Sequence, residues 1–208
     1  MCRYIVQMML HVAVYVMGVA QLGNVVYAVR RASSIIKRFT VHTLTLLFIE
    51  IHVEGMRSPT DMVARDRYLY IADRRHCIWR VSVDDHSYVK WLSTTQVSTG
   101  ESALSVTSRG LLVTSYYSNI LREYSTADRQ LLRDVKLPGN VWRLRHSVET
   151  SRGTFIIAYM YLGTPPQREL KYAVSELFSY HHISDRVLSK HLLGNTPSVS
   201  KSALKQRM

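Results

Sequence analysis

Short runs of apolar residues separated by polar turns make up the chain from residue 16 to residue 158. Residues 68–72 and 78–82 are typical, since both are rich in the β-branched and aromatic side chains that suit a pleated surface. No window in this range has the spacing of apolar residues that an amphipathic helix requires. The pattern therefore predicts an all-β fold.

The apolar runs recur with a fixed period. The sequence Thr-Ser-Arg-Gly at residues 107–110 returns 43 positions later at residues 150–153, and an apolar run follows each copy. Runs that begin after Asn24 and Arg67 extend this period of 42 or 43 residues towards the start of the chain. Each unit contains four short predicted strands, and four strands in about 40–45 residues are the signature of a β-propeller blade.

The period predicts an incomplete all-β propeller of about four four-stranded blades. Residues 1–15 are predicted to form a strand of a preceding blade, or else a signal or anchor. Blades are predicted at 16–59, 60–102 and 103–146, a partial blade at 147–194, and a disordered basic tail at 195–208. A short helix is predicted at 167–181, inserted in the partial blade. Closed propellers have about four to eight blades. We therefore expect a truncated copy of a longer protein, or an arc that self-association completes because open sheet edges promote pairing.

One blade resembles a known family. Residues 59–64 (Pro-Thr-Asp-Met-Val-Ala), 69–73 (Leu-Tyr-Ile-Ala-Asp) and 78–81 (Ile-Trp-Arg-Val) are similar to a blade of the NHL-repeat propellers. Such propellers occur at the C-terminus of many tripartite-motif ubiquitin ligases. The resemblance covers residues 16–158 and implies a propeller of that type. Because the sequence shows no RING, B-box or coiled-coil segment, the resemblance implies no ligase activity for it.

The charge of the chain indicates a class of partner, and its cysteines and the lack of a glycosylation sequon bear on the cellular compartment. The chain has 27 Lys and Arg against 15 Asp and Glu, a formal charge of +12, which favours acidic proteins or nucleic acid as partners. Its two cysteines form no CxxC pair, which excludes a disulfide scaffold and a cysteine-rich zinc module. No glycosylation sequon occurs, so we predict a cytoplasmic location. Residues 4–29 carry no charged side chain, so a membrane anchor or a secretion signal there is the alternative.

The sequence contains no recognisable catalytic motif. The nine histidines are spaced as surface or loop residues, and the first strands are apolar or Ser/Thr around Val19, Val63, Val106 and Val148, so we predict no central metal. A glycine-rich phosphate loop and a nucleophile elbow are both missing from the sequence. We predict a non-enzymatic protein without a cofactor, and a lactonase-like propeller hydrolase is the alternative from the enzyme class.

The candidate binding residues lie in the predicted loops between second and third strands. Equivalent loops of successive blades lie on one face of a propeller, so residues far apart in the sequence gather there. Arginine binds carboxylate or phosphate in a bidentate manner, and tyrosine offers a flat ring with a hydroxyl group. We predict that this face binds an acidic protein segment or an RNA. The candidate residues are Arg30, Arg31, Arg74, Arg75, His76, Tyr116, Tyr117 and Tyr159.

Overall fold

The computed structural model of the chain describes residues 15–74, 76–93, 95–96, 102–137, 141–150 and 153–161, and of residues 141–143 and 159–161 it describes the backbone. These ranges contain fourteen β-strands. In chain order the strands are β1 Val16–Leu22, β2 Val25–Arg30, β3 Ile35–Thr40, β4 Ile51–His52, β5 Pro59–Arg65, β6 Tyr68–Asp73, β7 Cys77–Ser82, β8 Tyr88–Ser93, β9 Ser102–Val106, β10 Gly110–Ser115, β11 Ile120–Ser125, β12 Leu131–Lys136, β13 Val141–Glu149 and β14 Phe155–Tyr161.

Within each sheet, every strand pairs with the next one in the chain, and all pairs are antiparallel. β1 to β4, β5 to β8 and β9 to β12 form three four-stranded sheets, and β13 pairs with β14. We name these sheets blades 1 to 4. The predicted all-β fold of successive propeller blades is confirmed, whereas the helix predicted at 167–181 lies outside the described residues. Within the described ranges, no helix has the length and apolar character that a membrane span requires.

The first strands of the four blades, β1, β5, β9 and β13, lie side by side. Near the start of β5, Thr60 Oγ1 donates a hydrogen bond to the carbonyl of Ser102 (3.1 Å). At the end of β5, Arg65 Nη1 donates to the carbonyl of Thr107 (2.8 Å). β5 and β9 therefore run in the same direction. Both bonds join residues 42 positions apart, so the repeat period is the separation of residues that meet across blades.

Three apolar cores fill the spaces between successive blades. Trp79 belongs to the core between blades 1 and 2. The next core contains Trp91, whose ring meets Tyr70 edge to face at 4.9 Å, and the third contains Leu112 of blade 3 and Phe155 of blade 4. Burying a large apolar side chain contributes about 1.5–3 kcal/mol. The stability of the arc therefore depends on packing between blades as well as on the sheets themselves.

The outer strand of blade 1 is shorter than the sequence pattern predicts. A strand is expected at 46–53, but β4 contains two residues, and Leu46 joins β3 through a single bridge to Phe39. Between that bridge and β4, four residues of the outer segment face two residues of β3. The chain bulges outwards for this reason, and Phe48 is fully exposed.

The first strands of the blades begin at unequal intervals along the chain. β5 begins at Pro59 and β9 at Ser102, 43 residues apart. The boundary expected after residue 146 differs, because β13 begins at Val141 and is the first strand of blade 4. Arg143 and Arg145 interrupt the apolar pattern of β13 in the sequence, which hides where the strand begins.

The blades have two faces, which we name after their connections. The turn face carries the tight turns between first and second strands and between third and fourth strands. The loop face carries the connections between second and third strands and the starts of the first strands. The loops predicted to bind a partner therefore lie on the same face as the starts of β1, β5, β9 and β13.

Candidate binding site on the loop face

A cavity of about 360 Å³ lies on the loop face, beside the starts of β1, β5 and β9 and the middle of β13. Its walls come from corresponding positions of the repeat. Met17, Thr60, Ser102 and Arg145 occupy one such position, Asp61, Ala103 and His146 occupy the next, and Tyr116 and Leu144 complete the lining. Because every blade contributes at the same place, the cavity lies on the axis around which the blades are arranged.

Irregular strand pairing brings polar side chains to this cavity. The pairing of β5 with β6 changes register between Pro59 and Asp61, and that of β13 with β14 changes register between Leu144 and His146. A β-bulge changes the direction in which side chains point, and bulges are frequent beside binding sites. The apolar character expected for the first strands is therefore interrupted at the cavity by Asp61 and His146.

Asp61 links blade 2 to blade 3. Its Oδ1 accepts the backbone N–H of Met62 (2.8 Å), and its Oδ2 accepts the backbone N–H of Leu104 (2.7 Å). Burial raises the pKa of Asp61 above its ordinary value, although the two N–H donors and the nearby His146 act in the opposite direction. The carboxyl group is thus held in a fixed position and in a poorly hydrated part of the cavity wall.

Arg145 and two tyrosines form another part of the wall. The Cζ atom of Arg145 lies 4.7 Å from the centre of the Tyr116 ring, within the range of a cation–π contact. The ring of Tyr117 meets that of Tyr116 edge to face, with centroids 4.7 Å apart and an interplanar angle of 90°. Tyr117 is 55% exposed. A positioned guanidinium group and an accessible aromatic ring therefore stand together on the loop face.

Six of the predicted site residues lie on the loop face, at the ends or in the connections of second and third strands. The two arginines of blade 1 are at and just after the end of β2, Arg74 and His76 of blade 2 lie between β6 and β7, and the two tyrosines follow β10. The structure brings the two tyrosines into direct contact. We name these six residues the loop rim. The loop rim consists of Arg30, Arg31, Arg74, His76, Tyr116 and Tyr117.

The other two predicted residues are not part of the loop rim. Arg75 lies outside the described residues. Tyr159 lies within β14, where its backbone is paired with that of Leu144. It is not in a loop because β14 continues to Tyr161, so blade 4 has no connection at the position expected from the repeat.

Asp61, Arg145 and His146 line the cavity but are not among the residues predicted in the loops. The signal that identifies them is present in the repeat itself. Aligned by their turns, the four units place ionisable residues at two neighbouring positions near the start of the first strand, once in blade 2 and twice in blade 4. First strands line the axis of a propeller, so a charged residue at that position indicates a central site.

Asp73 fixes the backbone next to the loop rim. Its Oδ1 accepts the N–H of Ser58 (2.7 Å), and its Oδ2 accepts the N–H of Arg57 (3.1 Å) and the indole N–H of Trp79 (3.1 Å). The carbonyl of Ser58 in turn accepts the backbone N–H of Arg74 (2.9 Å). A buried carboxylate therefore positions the chain that carries a rim arginine, and this carboxylate is the aspartate of the NHL-like pattern.

The described residues show few reactive groups. Among them, no three His, Cys, Asp or Glu side chains converge in a way that could hold a metal ion. Burial raises the pKa of the Cys77 thiol to about 12, so the group is protonated at neutral pH. The chemistry that the loop face offers is that of charged and hydrogen-bonding side chains around a cavity.

Comparison with known proteins identifies the fold. The sequence matches no family model and no curated protein. The structure is similar to β-propeller-type proteins. Hydrazine synthase from Kuenenia stuttgartiensis has a TM-score of 0.58 at 13% identity, over 74% of this chain and 47% of that one. Virginiamycin B lyase from Staphylococcus aureus has a TM-score of 0.54 at 13% identity, over 68% and 48%.

A chain of a nidogen/laminin complex has a TM-score of 0.53 at 15% identity, over 69% of this chain and 57% of that one. The protein thus spans about half the length of these three structures. At such low identity the similarity concerns the fold alone. It establishes a β-propeller domain.

Proposed function

We propose that the chain is a non-enzymatic interaction module whose loop face binds an acidic protein segment. The observation that carries this proposal is the position of the loop rim. Arg30, Arg31, Arg74 and His76 belong to equivalent connections of successive blades, and they share a face with the cavity. The formal charge of +12 adds long-range attraction for an acidic partner.

We further propose that the propeller is of the NHL type found in tripartite-motif proteins. The pattern of residues 59–64 and 69–73 supports this, and so does Asp73, the aspartate of that pattern, which accepts two backbone N–H groups of the loop before β5 and the indole N–H of Trp79. In this proposal the NHL-like residues of a blade support the loop face, and the residues of the loop rim select the partner.

The loop rim suits an acidic protein segment better than an RNA. Recognition of unpaired bases relies on open aromatic faces on which the bases stack. One face of Tyr116 is covered by the guanidinium of Arg145, so Tyr117 has the one exposed tyrosine ring of the loop rim, and a run of bases needs several such rings. Arginine side chains bind Asp and Glu carboxylates without an aromatic platform. The segment would lie across the rim and not enter the cavity, because Asp61 would repel a segment that carries several negative charges and no ammonium group.

Fluorescence anisotropy with a labelled Glu-rich peptide tests the proposal. The full chain is compared with a variant that combines Arg31→Glu and Arg74→Glu. We expect the variant to bind at least about tenfold more weakly, because a loss of 1.4 kcal/mol in binding free energy already corresponds to that factor. Thermal unfolding of both proteins confirms that the variant is folded.

A matched control separates the rim from net charge. Arg67→Glu combined with Arg129→Glu makes the same change in charge on the exposed turn face and is expected to leave affinity within about twofold, because exposed charges act weakly beyond about 10 Å at ordinary salt. Equal losses in both double variants would contradict the proposal. An RNA of the same charge that binds more tightly, with a steep dependence on salt, would instead indicate an RNA-binding face.

A further inference from the structure

Opposite walls of the cavity carry opposite kinds of charge. Asp61 belongs to blade 2, Arg145 and His146 belong to blade 4, and Ser102 and Ala103 of blade 3 lie between them. Asp61 and His146 interact electrostatically. A molecule in the cavity would therefore meet a carboxyl group on one side and N–H donors on the other.

Asp61 has hydrogen-bonding capacity beyond the bonds it makes within the chain. A carboxylate offers about four acceptor sites. The backbone N–H groups of Met62 and Leu104 use one site on each oxygen. Burial disfavours the ionised form of Asp61, because its charge is poorly hydrated there. A cationic donor bound in the cavity would compensate that charge. This wall is thus prepared for an ammonium group.

The opposite wall is prepared for a carboxylate. Arginine and histidine side chains both bind carboxylates through directed N–H donors. The contact of Arg145 with the Tyr116 ring at 4.7 Å holds the guanidinium near one place. A side chain that is already positioned loses less conformational entropy when a ligand binds.

We propose that the cavity binds a small zwitterionic ligand, an amino-acid-like molecule whose carboxylate contacts Arg145 and His146 and whose ammonium group contacts Asp61. The volume of about 360 Å³ is at the low end of the range of ligand cavities, which suits a molecule of this size. A purely anionic ligand would be repelled by Asp61, and a purely cationic one by Arg145. The proposal does not rest on the function proposed for the loop rim.

Isothermal titration calorimetry of the full chain tests the proposal, with a panel of free L-amino acids as probes. We expect at least one amino acid to bind. Its N-acetylated form lacks the ammonium group and its amide form lacks the carboxylate, so each should bind at least about tenfold more weakly. Failure of all free amino acids to bind, or equal binding of a free amino acid and its blocked forms, would overturn the proposal.

Two variants assign each charge of the ligand to its wall. Asp61→Asn should weaken binding of the free amino acid by about tenfold but should not weaken binding of the N-acetylated form, which has no ammonium group and is repelled by the Asp61 carboxylate. Arg145→Gln should likewise weaken binding of the free amino acid but not that of the amide form, which has no carboxylate and is repelled by the guanidinium. Arg145 is exposed, so its variant retains the fold even if Asp61→Asn weakens the contact between blades 2 and 3.

The loop rim provides the control that separates this proposal from the previous one. Arg31→Glu should leave amino-acid binding unchanged, because this exposed arginine does not line the cavity. Amino-acid binding that survives Arg145→Gln unchanged would place the ligand elsewhere on the chain and would overturn the proposal.

Discussion

The turn face and the loop face use their arginines in different ways. On the turn face, Arg133 Nη2 of blade 3 lies 2.6 Å from Glu149 Oε1 of blade 4, and Arg65 of blade 2 donates to two backbone carbonyls of blade 3. On the loop face, Arg31 is exposed and Arg145 lies at the cavity. Arg65 and Arg133 of the turn face join one blade to the next, whereas Arg31 and Arg145 of the loop face are placed to meet a partner.

Carboxyl groups of the two faces differ in the same way. At Glu149, burial by itself would raise the pKa, but the N–H of Ser108 and the Arg133 guanidinium outweigh it, so the pKa of Glu149 is lowered. At Asp61, burial outweighs the donors and the pKa is raised. A carboxylate whose ionised form is stabilised by partners within the fold has a structural role. A carboxylate whose ionised form is disfavoured by its surroundings is typical of a binding site. The direction of the shift thus separates the two roles in this chain.

Replacing Glu123 with glutamine on the turn face should cause the largest decrease in the free energy of unfolding among the single substitutions predicted below. Glu123 is fully buried, and its Oε2 lies 3.1 Å from Arg109 Nη2 and 2.5 Å from Arg133 Nε. Removing one partner of a buried ion pair costs about 3–5 kcal/mol. Because Arg133 keeps Glu149 as a second partner, we expect a loss at the low end of this range. Urea unfolding measures the effect as a lower midpoint at an unchanged slope.

A second substitution checks the cause of that loss. Adding Arg133→Met to Glu123→Gln also removes the bridge to Glu149 of blade 4 and should lower the midpoint further, because the Glu149 carboxylate then loses its ion-pair partner. If Glu123→Gln left the urea midpoint unchanged, the ion pairs of Glu123 with Arg109 and Arg133 would not stabilise blade 3.

Replacing Asp73 with alanine should weaken the support beneath the loop rim by a smaller amount. The N–H groups of Arg57, Ser58 and Trp79 would lose their acceptor, and a buried donor left without a partner costs about 1–3 kcal/mol. Asp73→Asn keeps one acceptor oxygen and should cost less. Thermal unfolding compares the two variants, and equal losses would show that the hydrogen bonds of Asp73 do not matter.

The smallest effect is a difference in how the two faces respond to pH. The ordinary pKa of Asp61 is 3.8 and its folded pKa is higher, so the folded state binds the proton more tightly and stability falls as pH rises through this window. The ordinary pKa of Glu149 is 4.5 and its folded pKa is lower, so stability is lost as pH falls below 4.5.

Variants at these two positions should therefore change the pH dependence of stability in opposite directions. The stability of Asp61→Asn relative to the parent chain should rise with pH from about 4 upwards, and that of Glu149→Gln should fall with pH up to about 4.5. Urea unfolding at several pH values measures both differences. Slopes of the same sign would contradict the distinction between the two faces.

The repeat explains how much of the fold could be predicted from the sequence. A period of 42 or 43 residues implies that each residue contacts its counterpart in the next blade, and Thr60–Ser102 and Ser105–Ser147 do so across 42 positions. The outer strand of blade 1 could not be predicted in the same way. Its apolar residues suit a strand, but the segment has two more residues than β3 has to pair with, and a count of apolar positions does not reveal this.

The candidate site was only partly predictable for a related reason. Propeller topology places loops of equivalent position on one face, and the prediction of Arg31 and Tyr116 rests on this. The cavity depends on bulges in β5 and β13, which change the direction of Asp61 and His146. Register shifts of this kind arise from the pairing of strands and have no fixed signature in the sequence of one strand.

Hydrogen–deuterium exchange of the full chain, with and without the Glu-rich peptide, tests most directly whether the loop face is the binding face. We expect protection of backbone amides at residues 30–34, 74–76 and 116–119, because the loop rim lies there. Exchange at the turns 65–67 and 107–110 should stay unchanged, because those turns lie on the turn face. Protection confined to the turns, or none at the rim when the peptide is bound, would contradict the account.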